Sequence, residues 1–142
     1  MRIHLDYDGD YNQDDAALRQ WFVREVGAKT QRATRNTMNL AKTNAPVDVG
    51  TLRNSHRQDP VRISGWIIDS AVAATARHAL WVHEGTGPHP IRPRTKKVLS
   101  WKGPGGRVFA RSVMHPGTTA RPWLLNAARV AAGAEGFSVT EA

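Results

Sequence analysis

The chain has 142 residues, 40% hydrophobic and 23% charged, with a formal net charge of +8 and no cysteine. That is one domain of ordinary globular composition, which argues against a disordered chain and leaves no room for two cores. Disulfides, thiolate metal sites and a cysteine nucleophile are excluded, and no apolar run approaches the roughly 18 residues that span a bilayer.

Met1 to Leu5 alternates apolar and other residues, which predicts a short strand. The N-terminus has no apolar stretch and turns acidic at Asp6, so a signal peptide is not expected. Asp6 to Asp15 (DYDGDYNQDD) is polar and turn-rich. Its DxDGD run lacks the ligand spacing and the bidentate Glu of a calcium loop. Asp14 to about Asn44 reads as one long helix, with Asp14 and Asp15 at the end where carboxylates complement the dipole. Leu18, Phe22, Val26, Ala33, Thr37, Leu40 and Ala41 make one stripe, with Arg19, Arg24, Lys29, Arg32 and Arg35 largely off it. Pro46 ends the helix. Thirty-one residues at 1.5 Å span ~46 Å, longer than the ~37 Å diameter of a compact ball of this size. The helix therefore protrudes or has its surplus surface buried by another subunit, and the second is preferred.

Val47 to Ser55 predicts a turn and one helical turn. Val61 to Ser64 and Trp66 to Asp69 flank Gly65 as two antiparallel strands. Ala71 to Glu84 is Ala-rich and reads as helical, breaking at Gly85-Thr86-Gly87-Pro88. His89 to Lys97, with Pro90 and Pro93, is not a regular helix. Val98 to Trp101 and Arg107 to Val113 are strands around Lys102-Gly103-Pro104-Gly105-Gly106, a hairpin signal. Arg121 to about Ala132 is a helix with Pro122 in its first turn, ended by Gly133. The expected fold is α+β: one long N-terminal helix packed on a curved antiparallel sheet, with a short middle helix and a C-terminal helix. A single domain is expected over 1–142. Its core spans about 14–132, with a strand and loop at 1–13, a basic hairpin insertion at 89–115 and a loose tail at 133–142.

Charge is uneven. Residues 1–72 hold ten Lys/Arg and nine Asp/Glu, whereas 73–142 hold ten and three. Between Gly85 and Arg129 lie nine basic residues and no acid. Such a segment attracts an acidic partner. Arg92, Arg94, Lys96, Lys97, Lys102, Arg107 and Arg111 could track a phosphate backbone, and Trp101 and Phe109 could stack on bases. No recognised nucleic-acid module is present, and strand aromatics are more often core. Catalytic signals are weak. His83-Glu84 starts like a zinc motif, but the next histidine is His89, across Gly85, Gly87 and Pro88, so no helix aligns two ligands. The serines lack a nucleophile-elbow context, and Glu84 has no second carboxylate nearby in sequence. Neither catalysis nor a cofactor or metal is expected.

Three stretches carry a resemblance. Asn44 to Ser55 reads NAPVDVGTLRNS after a long helix, Ala79 to Thr86 reads ALWVHEGT, and Ala120 to Ala128 reads ARPWLLNAA. In this order they resemble the small tail-completion (neck, or minor tail) proteins of long-tailed bacteriophages. The family pattern is helix, AP-x-D-T-G-x-L-R-x-S, two strands, Y-A-x-x-V-E-x-G-T, and a closing A-x-P-F-L-x-x-A helix. Here Val49 replaces Thr, the aromatic shifts to Trp81, His83 precedes the Glu, and Trp123 replaces Phe. The resemblance covers about Asp14 to Ala132. The stretch His89 to His115, where relatives vary, is longer than the pattern needs.

The residues agree physically with a framework role. Pro46 stops the helix, Asp48 can cap the following turn, Gly50 permits the reversal and Leu52 buries. Arg53 is placed to pair with Glu84. Gly85, Thr86, Pro122 and Trp123 complete the framework, and Trp66, Trp81 and Trp123 are expected in the core. The resemblance implies a non-enzymatic virion protein at the head–tail junction, made in the host cytoplasm and assembled as a ring matched to the six-fold tail. Implied partners are its own copies, a tail-tube or tail-terminator protein, and a connector or stopper protein of the capsid vertex. Genomic DNA passes through the lumen, and no membrane is involved. Arg24, Arg32 and Arg35 on the long helix, with the basic residues of 92–111, are the candidate interface. The alternatives are a basic nucleic-acid-binding module acting through 92–111 and, more remotely, a metal-dependent hydrolase around His83, Glu84 and His89.

Overall fold

The computed structural model describes residues 2–7, 16–48 and 50–139, and the side chains of 3–7 are outside the description. Asp14, Asp15, the DxDGD run and Val49 lie outside the described residues. The fold is α+β, with helices packed on an antiparallel sheet. Strand β1 is Arg2–Tyr7, and the long helix α1 is Ala16–Asn44. There follow α2 (Thr51–Asn54), β2 (His56–Gln58), β3 (Arg62–Ser64), β4 (Ile67–Ala74) and α3 (Ala79–Glu84). Strands β5 (His89–Ile91), β6 (Leu99–Gly103), β7 (Gly106–Ala110) and β8 (Val113–His115) precede the last helix, α4 (Trp123–Ala134).

Strand β4 is the spine of the sheet. It pairs antiparallel with β1 on one side, and with β2 and β3 end to end on the other. The gap between β2 and β3 falls at Pro60, which has no N–H to give to the ladder. Asp59 bridges it: its N–H donates to the Ala71 carbonyl (2.8 Å), and its own carbonyl accepts from the Ser70 hydroxyl (2.9 Å). Ile68, Ser70, Val72 and Ala74 are all buried, the period-2 pattern of a strand with a core face.

Two sequence expectations change here. The Ala-rich run from Ala71 is not helical until Ala79, because its first four residues complete β4. Alanine's helix propensity is overridden by a ladder on both edges of the strand. Strand β2 carries no recognisable pattern over three residues and was not predicted.

Helix α1 lies over this sheet and along α4. Its N-terminal half sets Phe22 and Val26 on Ile68, with Trp66 tilted against Phe22 at 5.2 Å. Its C-terminal half brings Ala41 and Ala45 to Val72, Leu52, Trp123 and Leu124. The buried face between them is small: Gly27, Thr30, Ala33, Thr34 and Thr37, opposite the buried Ala127, Ala128, Ala131 and Ala132 of α4. Small residues let two backbones approach closely. The hydroxyls of Thr30 and Thr34 bond back to the carbonyls of Val26 (2.8 Å) and Thr30 (2.7 Å), so their burial leaves no donor unmet.

Helix α4 begins two residues later than the sequence suggests, with Pro122 as cap residue. It also runs through Gly133. The end comes at Gly136 (φ 84°), where the Gly136 N–H donates to the Gly133 carbonyl and the Phe137 N–H to the Ala132 carbonyl. Phe137 folds back onto Ala33 and Ala132. Glu135 takes a two-pronged contact from Arg32 at 2.8–3.1 Å. The segment expected to be loose is thus tied to α1 as far as Val139.

Trp123 is the polar anchor of the core. Its indole N–H donates to His56 Nε2 at 2.9 Å, and His56 Nδ1–H in turn faces the Arg53 carbonyl at 3.0 Å. Those two partners fix one neutral tautomer. Burial holds His56 below its ordinary value of 6.5, and the charge of Lys42 acts in the same direction. The unfolded chain therefore takes up this proton first. The contribution is complete above pH ~6.5 and is lost as pH falls below it toward the lower folded value. Urea melts between pH 7.5 and 5 should show this fall, and His56→Phe should flatten it. The same variant orphans the indole N–H and should cost about 1–3 kcal/mol at pH 7.5.

Candidate functional site

Between α3 and α4 the chain leaves the body and returns as one long hairpin arm. Thr86 pairs with Thr118 at its root, His89–Ile91 pair with Val113–His115, and Leu99–Gly103 pair with Gly106–Ala110 at its tip. The predicted turn at Gly103 to Gly106 is present. The predicted strand from Arg107 to Val113 is interrupted at Arg111 and Ser112. On the outgoing limb, residues 92–98 separate β5 from β6, whereas only Arg111 and Ser112 separate β7 from β8. The surplus bulges outward and carries Arg92, Arg94, Lys96 and Lys97, all exposed. Pro93 in this stretch suits a bulge and not a paired strand.

The root is fixed by close backbone approach. Gly85 (φ 76°) packs so tightly that a Cβ there would sit 2.6 Å from the Thr118 carbonyl oxygen and 2.8 Å from the Ala120 nitrogen. A Cβ on Gly117 (φ 91°) would overlap the Thr86 carbonyl. The Thr86 and Thr118 backbones exchange two hydrogen bonds of 3.0 Å, and Arg121 N–H donates to the Val82 carbonyl at 3.0 Å. The Gly-Thr of the second motif therefore fastens the arm to α3.

Above the root lies an open cavity of about 470 Å³, lined by His78, Trp81, His89, His115 and Arg121 among others. The His89 and His115 rings lie 5.1 Å apart. His89 Nδ1 faces the Gly87 carbonyl, and His115 Nδ1 accepts the Gly117 N–H, both at 3.0 Å. Among the described residues no group of three or more His, Asp or Glu side chains could hold a metal. His83, Glu84 and His89 are not brought together as ligands: His83 is buried edge-on to Trp123 at 5.5 Å, and Glu84 is exposed.

The arm has two unlike faces. Cross-strand partners share a face, so the register places Leu99, Trp101, Val108 and Ala110 on one side and Ser100, Lys102, Arg107 and Phe109 on the other. Leu99 and Trp101 of the first side line an apolar groove of about 260 Å³ together with Ile91, Ser100 and Val113. Among the described residues, no helix and no strand of the main sheet packs broadly on β5 to β8. Trp101 and Phe109, expected in a core, are 42% and 62% exposed, because the ribbon they lie on covers no core. Trp81, also expected to be core, is 59% exposed at the cavity mouth.

The candidate interface residues separate into two sets. Arg24, Arg32 and Arg35 are exposed on α1, but Arg24 pairs with Glu25 (3.1 Å) and Arg32 with Glu135 (2.8 Å). The second pair raises the guanidinium above its ordinary value and holds the Glu135 carboxyl below the usual carboxylate range. Arg92, Arg94, Lys96, Lys97, Lys102, Arg107 and Arg111 are all exposed on the arm. The framework residues behave differently. Leu52 and Trp123 are buried, Pro46 and Pro122 half-buried. The cap of α2 is Gly50 (φ 80°) with no side-chain cap bond, so Asp48 does not close that helix. Arg53 and Glu84 are both exposed and do not pair with each other. Sequence reasoning missed the apolar groove, whose signal was the alternation of Leu99 and Trp101 with Ser100 and Lys102.

Comparison with known protein families, curated proteins and solved structures finds no match.

Substitution at the root tests this construction. Gly85→Ala and Gly117→Ala should each destabilise by more than the ~1–2 kcal/mol left-handed penalty alone, because a backbone contact must also open. Gly87→Ala, where a Cβ meets nothing within 4 Å, should change urea midpoints little.

Proposed function

We propose that this chain is a structural, non-catalytic subunit of the head–tail junction of a long-tailed bacteriophage. It completes the tail tube or joins it to the capsid connector as one member of a ring. Its partners are neighbouring copies of itself, a tail-tube or tail-terminator protein on one side, and a connector or stopper protein on the other. The observation that carries this proposal is the arm. A two-stranded ribbon is marginal in water by itself, and this one has an apolar face on which no other described element packs broadly. In a ring, a head-to-tail contact repeats around the axis, and each arm's apolar groove is closed by the next copy.

The motif stretches support the same assignment. Their apolar members, Ala45, Leu52, Ala79, Trp123, Leu124 and Ala127, meet in a single buried cluster. They are therefore one framework, from which the arm projects.

Light scattering on the protein alone, with tail tubes, and with connector-bearing capsids tests the proposal. Ring-sized mass, or binding to one of the two particles, is expected. The pair Trp101→Ser and Val108→Ser should keep the melting temperature within a few degrees and weaken assembly at least tenfold. A monomer that ignores both particles contradicts the proposal.

A further inference from the structure

The second face of the arm has a chemistry that ring closure does not use. Lys102 and Arg107 are direct cross-strand partners beside the turn. Like charges placed opposite each other disfavour pairing unless an outside charge neutralises them. No acid lies between Gly85 and Arg129, and among the described residues neither Lys102 nor Arg107 forms an ion pair. Five residues up the outgoing limb from Lys102, about 17 Å in extended chain, Lys97 closes the bulge that also carries Arg92, Arg94 and Lys96. Phe109 lies on the face of Lys102 and Arg107, 62% exposed.

We propose that this face of the arm binds duplex DNA. The occupant must be a polyanion, since cations occur at the tip and again at the bulge with no acid between them. An acidic protein surface would supply charge in patches. A nucleic acid supplies it continuously, one phosphate per ~1.7 Å of duplex axis. A two-stranded β-ribbon fits the major groove, which is about 12 Å wide. An exposed aromatic ring among cations also suits the apolar thymine methyl of the major groove, a contact no carboxylate offers. Lys102 and Arg107 contact phosphates, Phe109 packs against the groove, and the bulge reaches the backbone further along. With Lys102 and Arg107 on phosphates, most of the contact is independent of sequence. The inference stands on the arm itself and does not require the ring.

Fluorescence anisotropy of a mixed-sequence duplex of about 30 base pairs, titrated with the full-length protein from about 50 to 300 mM salt, tests it. Affinity should fall steeply with salt. The pair Lys102→Ala and Arg107→Ala should lower the magnitude of the log–log slope by about 2 and weaken binding at least tenfold at ~100 mM salt. Phe109→Ser should weaken binding with the slope unchanged. Removing the same charge from the body, with Arg19→Ala and Lys29→Ala, should have little effect. Equal losses from the arm pair and the body pair would overturn the proposal, as would no binding at ~50 mM salt. Displacement of the DNA by polyglutamate at equal charge concentration would assign the face to an acidic protein instead. Ring formation without DNA binding overturns this inference alone, and DNA binding without a ring leaves it standing.

Discussion

The hydrogen bond from Trp123 to His56 is the constraint on which the rest of the molecule depends. One indole joins α4 to the α2–β2 corner through its N–H, and to α3 through the edge of His83. Its rings sit in the cluster that includes Ala41 and Ala45 of the α1 end and Val72 of β4. Four helices and the central strand are thus registered on one residue. The arm is registered too, because its two limbs leave from α3 and return through Thr118 to Arg121 just before Trp123. Loss of that anchor would release the arm's base as well as the core.

Much of the body was legible in the sequence. Of the predicted stripe, Phe22, Val26, Ala33, Thr37 and Ala41 are buried and Leu18 and Leu40 half-buried, and Gly65 turns β3 into β4 with φ 62°. The three motif stretches are far apart in sequence yet share one core cluster. What the sequence obscured follows from context. Ala71 to Ala74 reads as helix by propensity, and only the flanking strands make it a strand. Gly133 resembles a stop signal, but Gly136 alone adopts the left-handed conformation that a stop requires.

Aromatic residues were the least legible. Trp66, Trp81, Trp101 and Trp123 each lie within two residues of an apolar side chain in sequence. The first packs on Phe22, the last is buried, and the middle two are exposed. The difference lies in whether the element under each residue has a second layer across from it. Among the described residues, α4 and the β3–β4 corner do; the arm that carries Trp101 does not, and Trp81 on α3 lines the open cavity. The exposed tryptophan on that ribbon is what the proposed assembly contact rests on, and the charge pattern of the opposite face is what the proposed DNA contact rests on.

Hydrogen exchange of the arm amides, free and attached to tails, tests most directly whether this ribbon is unpartnered until assembly. The account predicts that β6 and β7 exchange far faster than β4 and α4 in the free protein and slow sharply on attachment. Arm amides already as protected as those of β4 in the free monomer, and unchanged on attachment, would contradict it.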